Sequence, residues 1–180
     1  MNNTYTTDDS SSGFPGGGFS IKGGIGSAAP CTELAEQSDV CVCFINSWSG
    51  EGEDRTLIYD NEQDEMINTV ASSCDNTVVV VNVSEPCVLD AGVENSNITA
   101  PIYSGVLSQE SRYAITDVLY GVVNPSGKLI HTIAKNTSDY MASTCETDDC
   151  DFSKGLYLDY QWFDQQGIEP RYPYLYPTGV

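Results

Sequence analysis

The stretch Thr77-Val78-Val79-Val80-Val81-Asn82-Val83 constrains this chain more than any other. It is β-branched and apolar at successive positions, so both faces of the strand it forms need cover. A strand with one wet face would alternate between apolar and polar residues; this one does not. It belongs in the middle of a parallel sheet with helices above and below. Two further apolar runs of strand length, Val40 to Ile45 and Ile98 to Tyr103, supply neighbours. Between the first two strands, Asn61 to Ser73 sets Met66, Ile67, Val70 and Ala71 on one helical face, with Asp60 as its cap.

The remaining elements follow the same alternation. Pro30 to Gln37 has the makings of a short helix, and Cys87 to Leu89 of a brief extended piece. A helix is expected from about Ser108 to Tyr120, with Ala114, Ile115, Val118 and Leu119 inward and Gly121 as its stop. The turn Asn124-Pro125-Ser126-Gly127 then leads into a strand from Lys128 to Ile133. Strands separated by helices give an α/β sandwich, a mostly parallel sheet covered by helices. Residues 1–29 form a Gly/Ser-rich arm that cannot bury enough apolar surface to order itself, and residues 30–180 form a single domain. Beyond Tyr140 the chain becomes aromatic and polar, which predicts an irregular tail with one short strand at Leu156 to Tyr160.

Charge narrows the functions. With 26 acidic against 7 basic residues the formal net charge is −19. Too little Lys and Arg is present to neutralise a phosphate backbone, so nucleic acid is excluded as a partner. No apolar run approaches the roughly 20 residues of a membrane span. Met1 to Ala29 is polar rather than leader-like, so export is either not encoded here or its leader has been removed. Sequons at Asn97 and Asn136 lie in expected surface loops and are the glycosylation candidates, whereas Asn82, near the end of a strand, is hard to reach. Seven cysteines leave at least one unpaired in a monomer; Cys145 and Cys150 bracket a short polar loop that suits a disulfide. Sequons and a disulfide favour an extracellular, secreted protein. One histidine and no CxxC pair argue against a zinc site, and no metal or cofactor is implied.

The candidate chemistry sits where the strand from Val40 breaks into Asn46-Ser47-Trp48-Ser49-Gly50-Glu51-Gly52-Glu53-Asp54-Arg55. Ligands of open α/β sheets gather at the carboxyl ends of strands, so Glu51 stands where a working carboxylate is expected. A glycine-flanked acid is also a common solvated turn. Trp48, Asp54 and Arg55 share the loop as substrate-binding candidates, although Asp54 and Arg55 can equally pair with each other and fix it. His131, on an expected strand, reads as a packed histidine rather than a base.

Several motifs then coincide in order: Ser49-Gly50-Glu51-Gly52, Cys74-Asp75-Asn76-Thr77-Val78-Val79-Val80-Val81, Asp117-Val118-Leu119-Tyr120-Gly121, Val123-Asn124-Pro125-Ser126-Gly127-Lys128-Leu129 and Lys154-Gly155-Leu156-Tyr157-Leu158-Asp159-Tyr160. Over residues 25–174 the chain resembles the C-terminal α/β sandwich domain of fungal β-glucosidases of glycoside hydrolase family 3. The resemblance implies an active site shared between two domains. A (β/α)8-type barrel supplies the aspartate nucleophile, and the sandwich supplies the acid/base glutamate, here Glu51. Retaining hydrolysis needs two carboxyl groups about 5–5.5 Å apart. No barrel and no evident substitute nucleophile is encoded in this sequence, so the chain is expected to be inactive unless a barrel joins it in trans. Two other readings stay open. One is a non-catalytic secreted domain that self-assembles into a homo-oligomer or filament. The other is a sugar-binding module using Trp48, Trp162 or the tail tyrosines as platforms.

Overall fold

A computed structural model describes residues 11–13, 20–22, 32–46, 61–84, 86–88, 90–142, 145 and 149–176. Its centre is a three-stranded parallel sheet in the order β3 (Cys41–Asn46), β4 (Thr77–Asn82), β5 (Ile98–Tyr103). The valine run takes the middle place, and Val79, Val80 and Val81 are fully buried, as apolarity on both faces demands. Pairing is in step from Cys41↔Thr77 to Asn46↔Asn82. A register shift near Thr77 marks the start of the β4–β5 pairing, beside Thr99, whose hydroxyl donates to Asn76 Oδ1 at 2.7 Å. Pro101, opposite Val79, is tolerated because β5 borders the described sheet.

Helix α2 (Asn61–Ser73) runs along one face of β3 and β4. It buries Ile67 and Val70 in one cluster with Cys43, Ile45, Val79 and Val81, with Met66 half-covered at the margin, and Ala71 is buried as well. Short helices α1 (Thr32–Glu36) and α3 (Asp90–Val93) pack beside it. Gly92 lets α3 approach closely: a Cβ there would stand 3.0 Å from Ile67 Cδ1. Helix α3 follows the expected extended piece where no element was expected, since four residues are too few to show a helical period. Helix α4 (Ser111–Leu119) begins three residues later than expected, because Ser108 to Ser111 close a turn of their own, with the Ser111 N–H on Ser108 O. It buries Ile115, leaves Ala114 exposed, and stops at Gly121, whose φ of +68° suits glycine.

Two expected strands are overturned. Lys128 to Ile133 joins no ladder; Ile133 alone bridges to Tyr172. Side chains take the amides that a ladder would have used. The Thr132 N–H donates to Asp159 Oδ1 at 2.9 Å, and the Ala134 N–H to the Tyr140 hydroxyl at 3.0 Å. Leu156 to Tyr160 is not a strand either. Tight turns close it on itself, with the Tyr157 N–H on Lys154 O and the Leu158 N–H on Leu156 O. Asp159, at φ +48°, then starts helix α5 (Tyr160–Gln166). The N-terminal arm is also not wholly irregular: β1 (Ser11–Gly13) and β2 (Ser20–Lys22) pair antiparallel.

The tail is tied down by specific contacts. Phe163 of α5 is buried edge-on to Tyr140 at 5.7 Å, and Trp162 Nε1 donates to Asp139 O at 3.0 Å. Tyr172 meets Tyr103 of β5 at 6.1 Å, and Arg171 pairs with Glu94 at 2.7 Å. Cys145 and Cys150 form a disulfide with Cα atoms 6.0 Å apart.

Candidate functional site at the carboxyl ends of the strands

All three parallel strands end on one side, and each hands over to a polar residue there. Asn46 closes β3, Asn82 closes β4 and Ser104 follows β5. They form a row. Asn82 Nδ2 donates to Asn46 Oδ1 at 3.2 Å, and the Ser104 hydroxyl reaches both Asn82 Oδ1 and Val81 O. The amide of Ser104 donates to Val81 O at 3.1 Å, which extends the ladder one residue past the strand. From the first turn of α2, Gln63 Nε2 donates to Asn46 O at 2.9 Å. That bond joins the end of β3 to the start of the next helix, so the two points bounding residues 47–60 are held together. The sequence did not mark Asn46, Gln63 or Ser104 as site residues, and it offered Asn82 only as a poorly reachable sequon. The available signal was a polar residue capping each apolar strand at the same level.

Glu51, Trp48, Asp54 and Arg55 lie outside the described residues, as does Asp60. Asn97 is not a free surface amide: its Nδ2 donates to Ala71 O at 2.7 Å, and its sequon partner Thr99 bonds Asn76. Asn136 is exposed at the start of a 3-10 turn, where its N–H donates to Asp139 Oδ2 at 2.9 Å. Trp162, half-buried and bonded through its indole, serves packing rather than an open platform. Among the described residues no group of three His, Cys, Asp or Glu side chains could hold a metal, and no helix is long and apolar enough to cross a membrane.

His131 packs near Asp159, and its Nε2 is buried without a hydrogen-bond partner among the described residues. Burial lowers its pKa from the ordinary value of 6.5, and the negative charge of Asp159 opposes that shift only in part. The neutral ring is therefore the form that the fold accepts. The unfolded chain binds the proton at higher pH than the folded one does. The contribution of His131 to stability should be complete above about pH 6.5 and be lost as the pH drops from there through its folded-state pKa. Urea midpoints of the protein and of His131→Phe between pH 5 and 7.5 check this; the variant should lose less stability on the acid side. Beside it, the Tyr140 hydroxyl accepts from the Ala134 N–H and donates to Thr132 O at 3.1 Å, and burial raises its pKa, which keeps it protonated.

Residues 26–160 match the model of the glycosyl hydrolase family 3 C-terminal domain. Probable β-glucosidase D of Aspergillus niger is 51% identical over 142 residues, covering 79% of this chain and 19% of that protein. Its counterpart in Aspergillus flavus is 49% identical over 175 residues, covering 97% of this chain and 23% of the relative. Among solved structures, a β-D-glucoside glucohydrolase from Trichoderma reesei superposes with a TM-score of 0.79 at 34% identity, over 84% of this chain and 22% of that one. The chain thus spans about a fifth of the length of these relatives. By sequence match over most of its length and by shared architecture, it belongs to the C-terminal domain family of glycosyl hydrolase family 3.

Proposed function

We propose that this chain is the acid/base half of a β-glucoside hydrolase, with Glu51 protonating the leaving oxygen and then activating water. The observation that carries the reading is the placement of Asn46. It ends β3 at the carboxyl rim of a parallel sheet, is held to Asn82 and Gln63, and stands five residues before Glu51. Relatives bearing the β-glucosidase name support the substrate class. Trp48, Asp54 and Arg55, in the same segment, would contact the sugar. A retaining mechanism needs a second carboxylate about 5–5.5 Å from Glu51, and that nucleophile would come from a barrel domain. Closure of the two would raise the Glu51 pKa by desolvation, giving an acid that is protonated where turnover occurs. By the same reading the chain is secreted and carries its glycan at Asn136, since Asn97 uses its side-chain nitrogen internally.

The test uses an aryl β-glucoside. The 180-residue chain alone should show no turnover. Mixed with a family barrel domain it should restore hydrolysis, and Glu51→Gln should reduce the restored rate by at least about 10²-fold. Turnover by the chain alone that survives Glu51→Gln would overturn the assignment, as would restored activity indifferent to that change.

A further inference from the structure

Tyr160 and Tyr174 stand face to face, with ring centroids 5.1 Å apart and planes 13° from parallel. The other tyrosine pairs among the described residues meet edge-on, Tyr103 with Tyr172 at 69° and Tyr172 with Tyr176 at 62°. Both stacked residues face solvent, at 43% and 39% exposure. Among the described residues no hydrogen bond engages either hydroxyl. Elsewhere phenols are in use: Tyr140 donates to Thr132 O and Tyr103 to Cys87 O. Stacking takes only the ring faces, so it leaves both hydroxyls uncommitted.

The fold imposes this contact from both sides. Tyr160 opens α5, which Asp159 holds to Thr132 and Trp162 holds to Asp139. Tyr174 lies between two backbone anchors. Ile133 and Tyr172 exchange amide bonds at 2.9 and 3.2 Å, and the Leu175 N–H donates to Leu129 O at 2.8 Å. Leu175 takes φ +60°, a left-handed conformation that a leucine keeps only where its surroundings fix it. Two exposed phenols, 14 residues apart in the chain, are thus held ring against ring. The chemistry open to such a pair is oxidative coupling.

We propose that Tyr160 and Tyr174 are a modification site, joined into a dityrosine bridge by one-electron oxidation with hydrogen peroxide and a peroxidase. Each phenol gives up one electron and its hydroxyl proton, leaving a radical shared between the oxygen and the ring carbons beside it. A carbon–carbon bond forms between one such carbon of each ring. The hydrogen on each coupled carbon then moves to oxygen and restores the hydroxyl. The two electrons and two protons reduce hydrogen peroxide to two waters. Prior contact makes the coupling intramolecular, and a net charge of −19 keeps separate chains apart. The bridge fastens the tail to α5. The inference goes beyond the function proposed above, because it uses neither the Glu51 segment nor a glucoside.

Oxidation of the full chain with hydrogen peroxide and a peroxidase, followed by trypsin and mass spectrometry, provides the test. Cleavage after Lys154 and Arg171 puts Tyr160 in the peptide 155–171 and Tyr174 in the peptide 172–180. From the monomer band of a denaturing gel the two peptides should emerge linked, two hydrogens lighter than their sum. Tyr160→Phe and Tyr174→Phe preserve the rings but cannot form the radical, so each should lower the linked product at least about tenfold. Tyr157→Phe should leave it unchanged, and oxidation in urea, where the rings part, should lose the preference for this pair. The absence of linked peptide would overturn the proposal, as would a link that survives Tyr160→Phe or appears only in chain dimers. Coupling confined to the peptide 172–180, through Tyr172 and Tyr176, would also overturn it.

Discussion

Ile67→Ala is expected to lower the unfolding free energy by about 3–4 kcal/mol, in the upper part of the range for truncating a buried isoleucine. Ile67 is completely buried, and it is where α2, α3 and the sheet converge: its Cδ1 fills the space that Gly92 leaves open, and its neighbours in the core include Ile45, Val79 and Val81. The cavity cannot collapse easily, because β4 is held between strands on both sides and α3 is only one turn long. Urea unfolding should show a lower midpoint with an unchanged slope, and the melting temperature should fall by roughly 10 °C. Val42→Ala, on the opposite and partly exposed face of β3, serves as the comparison and should cost less than about 1 kcal/mol. Equal losses at the two positions would mean that α2 does not form the main core.

What the sequence made legible follows from the range over which each element is determined. Helix α2 and strand β5 fall where periodicity and β-branching put them, and β4 ends one residue short, because for these segments the local pattern and the tertiary environment demand the same thing. The tail is different. Lys128 to Ile133 has strand composition, yet its amides are satisfied by Asp159 and Tyr140, and Asp159 lies 27 residues from Thr132. No local pattern encodes such a pairing. Leu156 to Tyr160 reads as a strand by residue type, but Gly155 and Asp159 both take positive φ and turn the chain. At the strand ends, the position of the loop was legible in the break after Ile45. The polar row at the strand ends was not, since Asn46, Asn82 and Ser104 become neighbours only through the parallel register.

The tail pairing leads to the second large effect. Asp159 accepts from the Thr132 N–H at 2.9 Å with one oxygen and from the Thr132 hydroxyl at 3.1 Å with the other, and Thr132 is 1% exposed. Asp159→Ala removes both acceptors from Thr132 at the part-buried edge of the fold, at an expected cost of about 2 kcal/mol. Asp159→Gly loses the same two bonds but relieves the left-handed backbone at φ +48°, so it should be about 1 kcal/mol less damaging than alanine. Asp159→Asn retains one acceptor oxygen and should cost the least of the three. It also removes the charge that holds the His131 pKa up against burial, so the His131 resonances should titrate at lower pH in the asparagine variant than in the parent. Two readouts thus separate the roles of one side chain: the order alanine, glycine, asparagine reports on hydrogen bonding and strain, and the histidine titration reports on charge. An unchanged His131 titration in Asp159→Asn, or equal stability of the alanine and parent proteins, would show that the carboxylate does not hold α5 to the Ile133 segment.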